Sequence, residues 1–383
     1  MFEDFVSFVR SLYDSNDFIP LHAPHFEGKE KRYLLESIDS TFVSSIGAFV
    51  DQFENKVAEY TGIKYAIATV NGTAALHIAL KLAGVEPNTE VITQSLTFVA
   101  TCNAIHYRSA KPVFVDVDLK TLGLSPESLE AFLNQYCEVR EDGYCWNKSS
   151  NCQVSACLPM HTFGFPVRLN EIKQICDRYH LEMIEDAAES LGSYFHHQHT
   201  GSFGLIGVLS FNGNKIITTG GGGMILTNDE ALATKAKHLT TTARVNHRWQ
   251  FVHDEIGYNY RLPNLNAALG VAQMEKLPAY VENKRWVAQQ YQQWGKKQGI
   301  QFTREPANSQ ANYWLNSIVV DNEDLRDKLL KVTNENGIMT RPAWTPMHKL
   351  SMNWDCQRDE LSNTEWLFER LVCVPSSPIN RDK

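Results

Sequence analysis

The sequence predicts an α/β protein: a mostly parallel central sheet flanked by helices, followed by a smaller α+β unit. Three observations predict it. Helical and strand-like patterns alternate from about residue 48 to residue 240. The strand candidates are short and nearly continuously apolar, as strands buried on both faces are. Past residue 250 the alternation gives way to long helical stretches.

Taken in order, AFVDQFENKVAEYTG reads as a helix stopped by Gly62, and KYAIATV as a short buried strand. After Asn71-Gly72, TAALHIALKLAG is an Ala/Leu-rich helix that ends at Gly84. EVITQ, TFVATCNAIHYR and PVFVDV continue the rhythm as strand, helix and strand. So do SPESLEAFLNQY, QVSACLPM, LNEIKQICDRYH and LEMIED. Right-handed crossovers then bring the C-terminal ends of the strands, and the loops that follow them, to one edge of the sheet. The segment 137–152 is polar and aperiodic and is expected to be a surface insertion. LPNLNAALGVAQMEKL and AYVENKRWVAQQYQQWGKK are expected to be two helices broken by Pro278. YWLNSIVV and DLRDKLLKVTNENG add a strand and a helix. The expected organisation is an N-terminal segment over 1–47 packing with the small unit at the active-site edge, a large α/β domain over 48–250, and a small α+β domain over 251–383.

Composition narrows the function classes. At roughly 150 residues per domain, 383 residues make two or three domains and a sizeable core. Lys and Arg number 36 against 44 Asp and Glu, a net charge of −8 without a basic run, so neither nucleic acid nor an anionic membrane is an expected partner. The opening MFEDFVSFVRSLYDSND carries acids within its apolar stretch, unlike a signal peptide, and no window approaches a bilayer-spanning length. The expectation is a cytoplasmic protein. Its eight cysteines contain no C-x-x-C pair, and Cys102, Cys176 and Cys373 have apolar surroundings, so free thiols packed as small hydrophobes are expected. His196, His197 and His199 sit in a polar stretch without a second ligand pair. We expect a solvated loop there and no metal.

Three segments carry chemistry. In LEMIEDAAESLGS a strand delivers Glu185 and Asp186 to the sheet edge, where Asp186 could alternatively do no more than cap a helix. In VLSFNGNKIITTGGGGMILTND a strand runs into Ser210, and Lys215 follows between apolar residues and Gly220–Gly223, suiting a lysine held inside a cleft. Asn71-Gly72-Thr73 lies between a strand and a helix N-terminus, where free N–H groups and the helix dipole hold a phosphate. A tight turn with a Thr cap is the plain alternative. No dinucleotide fingerprint or P-loop is present. A phosphate cradle, a strand-end carboxylate and a cleft lysine on one sheet edge match the needs of pyridoxal phosphate: an amine for its aldehyde and an acid for its ring nitrogen. Phe98, after another strand, offers a ring to stack on the cofactor.

With these motifs in place, the chain resembles the DegT/DnrJ/EryC1/StrS sugar aminotransferases, of fold type I. The resemblance runs through FEGKEKRYLLESIDSTFVSSIGAFVDQFE, NGTAALHIAL, SLTFVATCNAI, EDAAESLGS, SFNGNK, TTGGGGMILTND, HDEIGYNYRLPNLNAALG and RPAWTPMHKL. It implies Lys215 as the Schiff-base lysine and Asp186 as the partner of the pyridinium nitrogen. It further implies Gly72, Thr73 and Ser210 on the phosphate, Phe98 on the ring face and Glu189 beside the ring hydroxyl. Asn259 in GYNYR would reach the phosphate of a partner subunit, which implies a homodimer with shared active sites. Phe26, Gly28, Lys29 and His348 are the implied substrate-binding residues. Asn71 stands where Ser is usual, Glu189 where Gln or His is common, and the glycine run lacks a frequent acidic residue.

Within the family, the opening block and HDEIGYNYRLPNLNAALG resemble the branch that aminates C4 of UDP-2-acetamido-2,6-dideoxy-hexos-4-ulose for bacterial surface glycans. The amino group would come from L-glutamate by way of pyridoxamine phosphate. GDP-4-keto-6-deoxymannose, as in perosamine synthesis, and a 3-keto sugar are the alternative substrates. A non-catalytic cofactor-binding regulator is disfavoured, because the first 48 residues hold no helix–turn–helix signal or basic face.

Overall fold

The computed structural model describes residues 2–379; Met1 and residues 380–383, the outer ends of the two expected terminal units, lie outside the described residues. Helices α1 (Phe2–Tyr13), α2 (Glu30–Asp39) and α3 (Ala48–Thr61) open the chain, and α3 ends at Gly62 with φ 71°. Strand and helix then alternate as β1 (Tyr65–Thr69), α4 (Gly72–Leu82), β2 (Glu90–Gln94), α5 (Val99–Tyr107), β3 (Lys111–Val115) and α6 (Pro126–Tyr136). A hairpin of β4 (Cys137–Val139) and β5 (Cys145–Asn147) follows, then β6 (Gln153–Leu158), α7 (Leu169–Arg178) and β7 (Glu182–Asp186). Short β8 (Tyr194–Phe195) and β9 (Gln198–His199) precede β10 (Ile206–Ser210), β11 (Gly223–Thr227) and α8 (Glu230–Thr240).

The main sheet runs β1-β11-β10-β7-β6-β2-β3. β10, β7, β6, β2 and β3 are parallel neighbours, and β11 lies antiparallel between β1 and β10. Two reversals restore β1 to the direction of β10, so its C-terminal end meets the same edge. Successive residues face opposite sides, and both sides are covered, which is why the strands read as unbroken apolar runs. Ile184 and Val208 pack with α4, α5 and α8, whereas their neighbours Met183 and Leu209 pack with α7 and with α3, respectively.

Beyond residue 250 come α9 (Asn264–Gln298), β12 (Gln301–Phe302), β13 (Ser309–Gln310), β14 (Asn316–Val319), α10 (Glu323–Glu335), β15 (Arg341–Pro342), α11 (Ser362–Phe368) and β16 (Leu371–Val374). β12, β14, β16 and β15 form an antiparallel sheet in that order, while β13 pairs with β8 of the large unit. Helix α1 buries Phe5 and Val9 in the core of this second unit, beside Tyr291, Ile318 and Leu329. Among the described residues, no helix is long and apolar enough to cross a membrane.

Three expectations need correction. Pro278 does not divide two helices: α9 is continuous through it. A proline removes one backbone bond from a helix, a loss of roughly 3 kcal/mol in isolation. Here Leu277 and Tyr280 pack in the α3 core while Val287 and Tyr291 pack with α1, so burial on both sides holds the helix through the gap. The segment 137–152 is not an aperiodic loop either, because β5 pairs with β6 and extends the sheet. Cys137 and Cys145 turn into the core, and the buried Asn147 amide donates to Glu90 (2.8 Å) and Gln357 (2.7 Å). Finally, His196 and His197 are exposed, but His199 is buried and accepts the Gly192 N–H at 2.8 Å. The cysteines are free thiols as expected, all but Cys152 buried.

Candidate active site

The loops after β1, β2, β6, β7 and β10 meet at one edge of the sheet and enclose a cavity of about 310 Å³. Asn71, Gly72 and Thr73 follow β1; Phe98 and Thr101 follow β2; Met160 follows β6. Asp186 and Glu189 come from the end of β7, and Ser210, Asn212, Asn214 and Lys215 from the end of β10. Trp314 and Trp344 close the cavity from the small unit. Residues from Asn71 to Lys215 thus converge because parallel strands put their C-terminal ends together, and the small unit adds the two tryptophans.

One end of the cavity suits an anion. Asn71, not Thr73, caps α4: its side chain accepts the Ala74 N–H at 2.7 Å. The first N–H groups of α4 have no helical partner and carry the positive end of its dipole. Ser210 stands against them so closely that a Cβ on Gly72 would come within 3.0 Å of the Ser210 Cβ. Gly223 serves the same wall, since a Cβ there would meet the Asn71 carbonyl at 2.4 Å. Glycine at both positions lets β11 and β10 approach the turn.

The other end carries the acids and the amine. β7 runs through to Asp186, and turns rather than a helix follow, so Asp186 is not a helix cap. Its carboxylate accepts from the Thr101 hydroxyl (2.8 Å) and the Ala188 N–H (3.2 Å). Burial outweighs these bonds and pushes its pKa up. Lys215, with 12% of its side chain exposed, reaches Glu189 at 3.3 Å and lies 4.0 Å above the Trp314 ring. Glu189 also accepts the Phe163 N–H at 2.9 Å, yet burial pushes its pKa up to about 7 against the pull of Lys215. Phe98 is half exposed and meets Trp344 edge-on, with centroids 6.3 Å apart.

The arrangement fits pyridoxal phosphate. The α4 N-terminus with Ser210 can take the phosphate, a buried carboxylate without a neighbouring guanidinium can take a ring N–H, and the Lys215 amine lies within the same cavity. Five expected residues lie off the cavity wall in this chain. Asn259 is exposed, paired with Thr241 in a short bridge. Phe26 and Gly28 are exposed, and Lys29 pairs with Glu275 at 3.0 Å. His348 engages both ring nitrogens, with Ser95 (2.8 Å) and Glu365 (2.8 Å). Sequence reasoning missed Thr101, Trp314 and Trp344 as site residues. The first lies within SLTFVATCNAI without a chemistry of its own to single it out, and the two tryptophans are about 100 residues or more from Lys215.

Residues 24–382 match the DegT/DnrJ/EryC1/StrS aminotransferase family. The chain is 38% identical to EpsN of Bacillus subtilis (strain 168) over 363 residues, 94% of this chain and 90% of that protein. It is 37% identical over 335 residues to a GDP-perosamine synthase of Escherichia coli O157:H7, covering 88% and 87% of the two chains. The solved structure of the aminotransferase TlmJ from Streptoalloteichus hindustanus superposes with a TM-score of 0.84 at 26% identity, over 94% of this chain and 93% of that one. With the fold, the cavity and these likenesses in agreement, the chain belongs to the DegT/DnrJ/EryC1/StrS aminotransferase family and is a pyridoxal-phosphate-dependent enzyme of fold type I.

Proposed function

We propose that the chain aminates C4 of a nucleotide-linked 4-keto-6-deoxy sugar, taking the amino group from L-glutamate, in a cytoplasmic homodimer with shared active sites. The observation that carries the reading is the convergence of Lys215, Asp186, Glu189 and the α4 N-terminus on one cavity with aromatic walls. Gly72 and Thr73 N–H groups and the Ser210 hydroxyl hold the phosphate, and Phe98 lies on the ring face. Asp186 keeps the ring nitrogen protonated, and Glu189 sits beside the ring hydroxyl. When bound, the cofactor supplies an electron sink for the carbon that gains or loses a proton. Lys215 moves that proton with its Nζ, as base in one direction and acid in the other. Residues 48–250 are the cofactor-binding domain and 251–383 the small domain, with α9 packing in the cores of both; of the segment before them, α1 leans on the small domain, while Tyr33 of α2 packs against the α3 core.

The preferred substrate is UDP-2-acetamido-2,6-dideoxy-hexos-4-ulose, supported by the FEGKE opening and the HDEIGYNYRLPNLNAALG block. A second reading, GDP-4-keto-6-deoxymannose, is favoured by the likeness to a GDP-perosamine synthase. Contacts of Phe26, Gly28, Lys29 and His348 with the sugar nucleotide rest on their motifs. Purified enzyme with L-glutamate and each ketosugar nucleotide separates the two, with the aminated product identified by NMR. Product from the UDP sugar alone is expected; product from the GDP sugar alone would establish the second reading.

The homodimer is supported by exposed apolar side chains in two segments, Phe42 and Ile46 in one and Trp249, Phe251 and Ile256 in the other. Asn259 lies just beyond the second segment and, in this reading, serves a partner's phosphate. Mixing Lys215→Ala chains with Asn259→Glu chains, each inactive alone, tests this. In a mixed dimer one site takes both defects and the other takes neither. Random pairing then restores roughly a quarter of wild-type activity. No recovery after verified exchange would mean that Asn259 serves its own chain.

A further inference from the structure

Trp314 is fixed more firmly than a wall residue needs to be. Its indole N–H donates to the Asn214 carbonyl at 2.7 Å, one residue before Lys215. Its backbone N–H donates to the Asn312 side chain at 2.8 Å, and the Asn312 amide donates in turn to the carbonyls of Glu189 and Leu191, both at 2.9 Å. Its own carbonyl accepts from Lys284 at 3.2 Å. Lys284 is fully buried and also donates to the Ser376 carbonyl, so its amine acts as a tether between α9 and the two chain segments. The indole plane is therefore set before anything enters the cavity, with its face 4.0 Å from the Lys215 ammonium.

The two neighbours of that ammonium differ in kind. Glu189 is a carboxylate that can take a proton. The indole face attracts a cation through its quadrupole and cannot take one. A lysine that alternates between a bond to the cofactor and a free amine needs a defined place to stand when free. Without one, its four-carbon stem samples many rotamers, and reordering it costs entropy at each turnover.

We propose that Trp314 is a positioning residue whose indole face seats the Lys215 amine whenever that amine is not bonded to the cofactor. The proposal rests on Lys215 being the cofactor lysine, as proposed above. The indole N–H bond to Asn214 joins the seat to the loop that carries the lysine. That bond fixes the spacing between seat and lysine.

The test uses Trp314→Phe, which keeps a ring face, and Trp314→Leu, which does not. It also uses chains carrying tryptophans with one, two or three ring fluorines at position 314 alone, which weaken the quadrupole while preserving shape. Trp314→Leu should lose about tenfold in kcat with L-glutamate while KM stays within about twofold, and Trp314→Phe should recover most of the loss. Across the fluorinated series kcat should fall stepwise. The readout independent of turnover is reductive methylation of Lys215 in the enzyme carrying pyridoxamine phosphate, where the lysine is free, followed by peptide mass. Lys215 should be methylated about tenfold faster in Trp314→Leu than in wild type. A flat fluorine series together with equal methylation rates overturns the proposal, because packing alone would then explain the leucine variant. Should Trp314→Leu fail to fold, the fluorinated chains decide alone. Retention of bound cofactor and turnover by Lys215→Ala would instead overturn the reading of Lys215, while the methylation rates would still report on the seat.

Discussion

Glu185 and Asp186 are consecutive on β7, and the pleat of the strand turns them to opposite sides. Behind the sheet, Glu185 accepts from His161 (3.1 Å) and from the N–H groups of Gly201 (2.7 Å), Phe203 (2.6 Å) and Gly204 (2.8 Å). Burial works against its charge, but His161 and these N–H groups more than offset it and hold the carboxyl below its usual range. On the cavity side, Asp186 has one hydroxyl and one N–H, and burial wins. Both side chains are buried, so burial is not the difference. One carboxylate has its lone pairs filled by the fold and organises the 201–204 loop. The other is left under-satisfied, which is the state of a group that awaits a charged ligand.

The comparison predicts that the cavity side governs rate and the rear side governs stability. The largest effect belongs to Lys215→Ala, which should cut turnover by at least about a thousandfold and abolish the absorbance of lysine-bonded cofactor. Its melting temperature should stay near wild type, since the amine's partners among the described residues are the Glu189 carboxylate and the Trp314 ring. Wild-type turnover in that variant would remove Lys215 from the chemistry. On the rear side, Glu185→Ala strands a buried histidine and three N–H groups. Unfolding by urea should show a loss of about 3–5 kcal/mol, with the activity of the folded fraction close to wild type. A variant as stable as wild type would dissolve the contrast.

Asp186→Asn sharpens it. A neutral amide cannot hold a ring proton by charge, so kcat should fall on the order of 100-fold. Stability should stay within about 1 kcal/mol, because burial already opposes the charged form there. The smallest effect is a pH dependence of the cofactor-free chain. Glu189 is raised from 4.5 to about 7, so its contribution is fully present below about pH 4.5 and lost as pH rises through about 7. His199, lowered from 6.5 to about 4 by burial, behaves oppositely: its contribution is present above about pH 6.5 and lost as pH falls through about 4. Denaturation between pH 5 and pH 8 should therefore show wild type losing about 2 kcal/mol relative to Glu189→Gln, and His199→Gln should flatten the acid limb instead. A pH-independent difference between wild type and Glu189→Gln would mean that Glu189 is ionised throughout.

Much of this architecture is legible one residue at a time. Period and punctuation are local properties, so β1, α4, β2, β7 and β10 could be drawn from the sequence, and Gly62 and Gly84 mark the ends of helices. The same locality exposes Lys215, Asp186 and the Gly72 turn, because each sits where a strand stops. Four outcomes are not local. Pro278 lies inside a helix because cores on both sides hold it, which no propensity records. The 137–147 hairpin exists because β6 offers an edge to pair with. His199 is buried with its Nε2 satisfied by the Gly192 N–H, although residues 196–198 just before it are exposed. Trp314 reaches Lys215 only because the small unit folds back over the sheet edge. The sequence alone thus determined which residues could do chemistry and on which strand ends they stand. Tertiary structure decided which carboxylate is satisfied and which is left for a ligand, because hydrogen-bond saturation depends on distant backbone that no local pattern encodes.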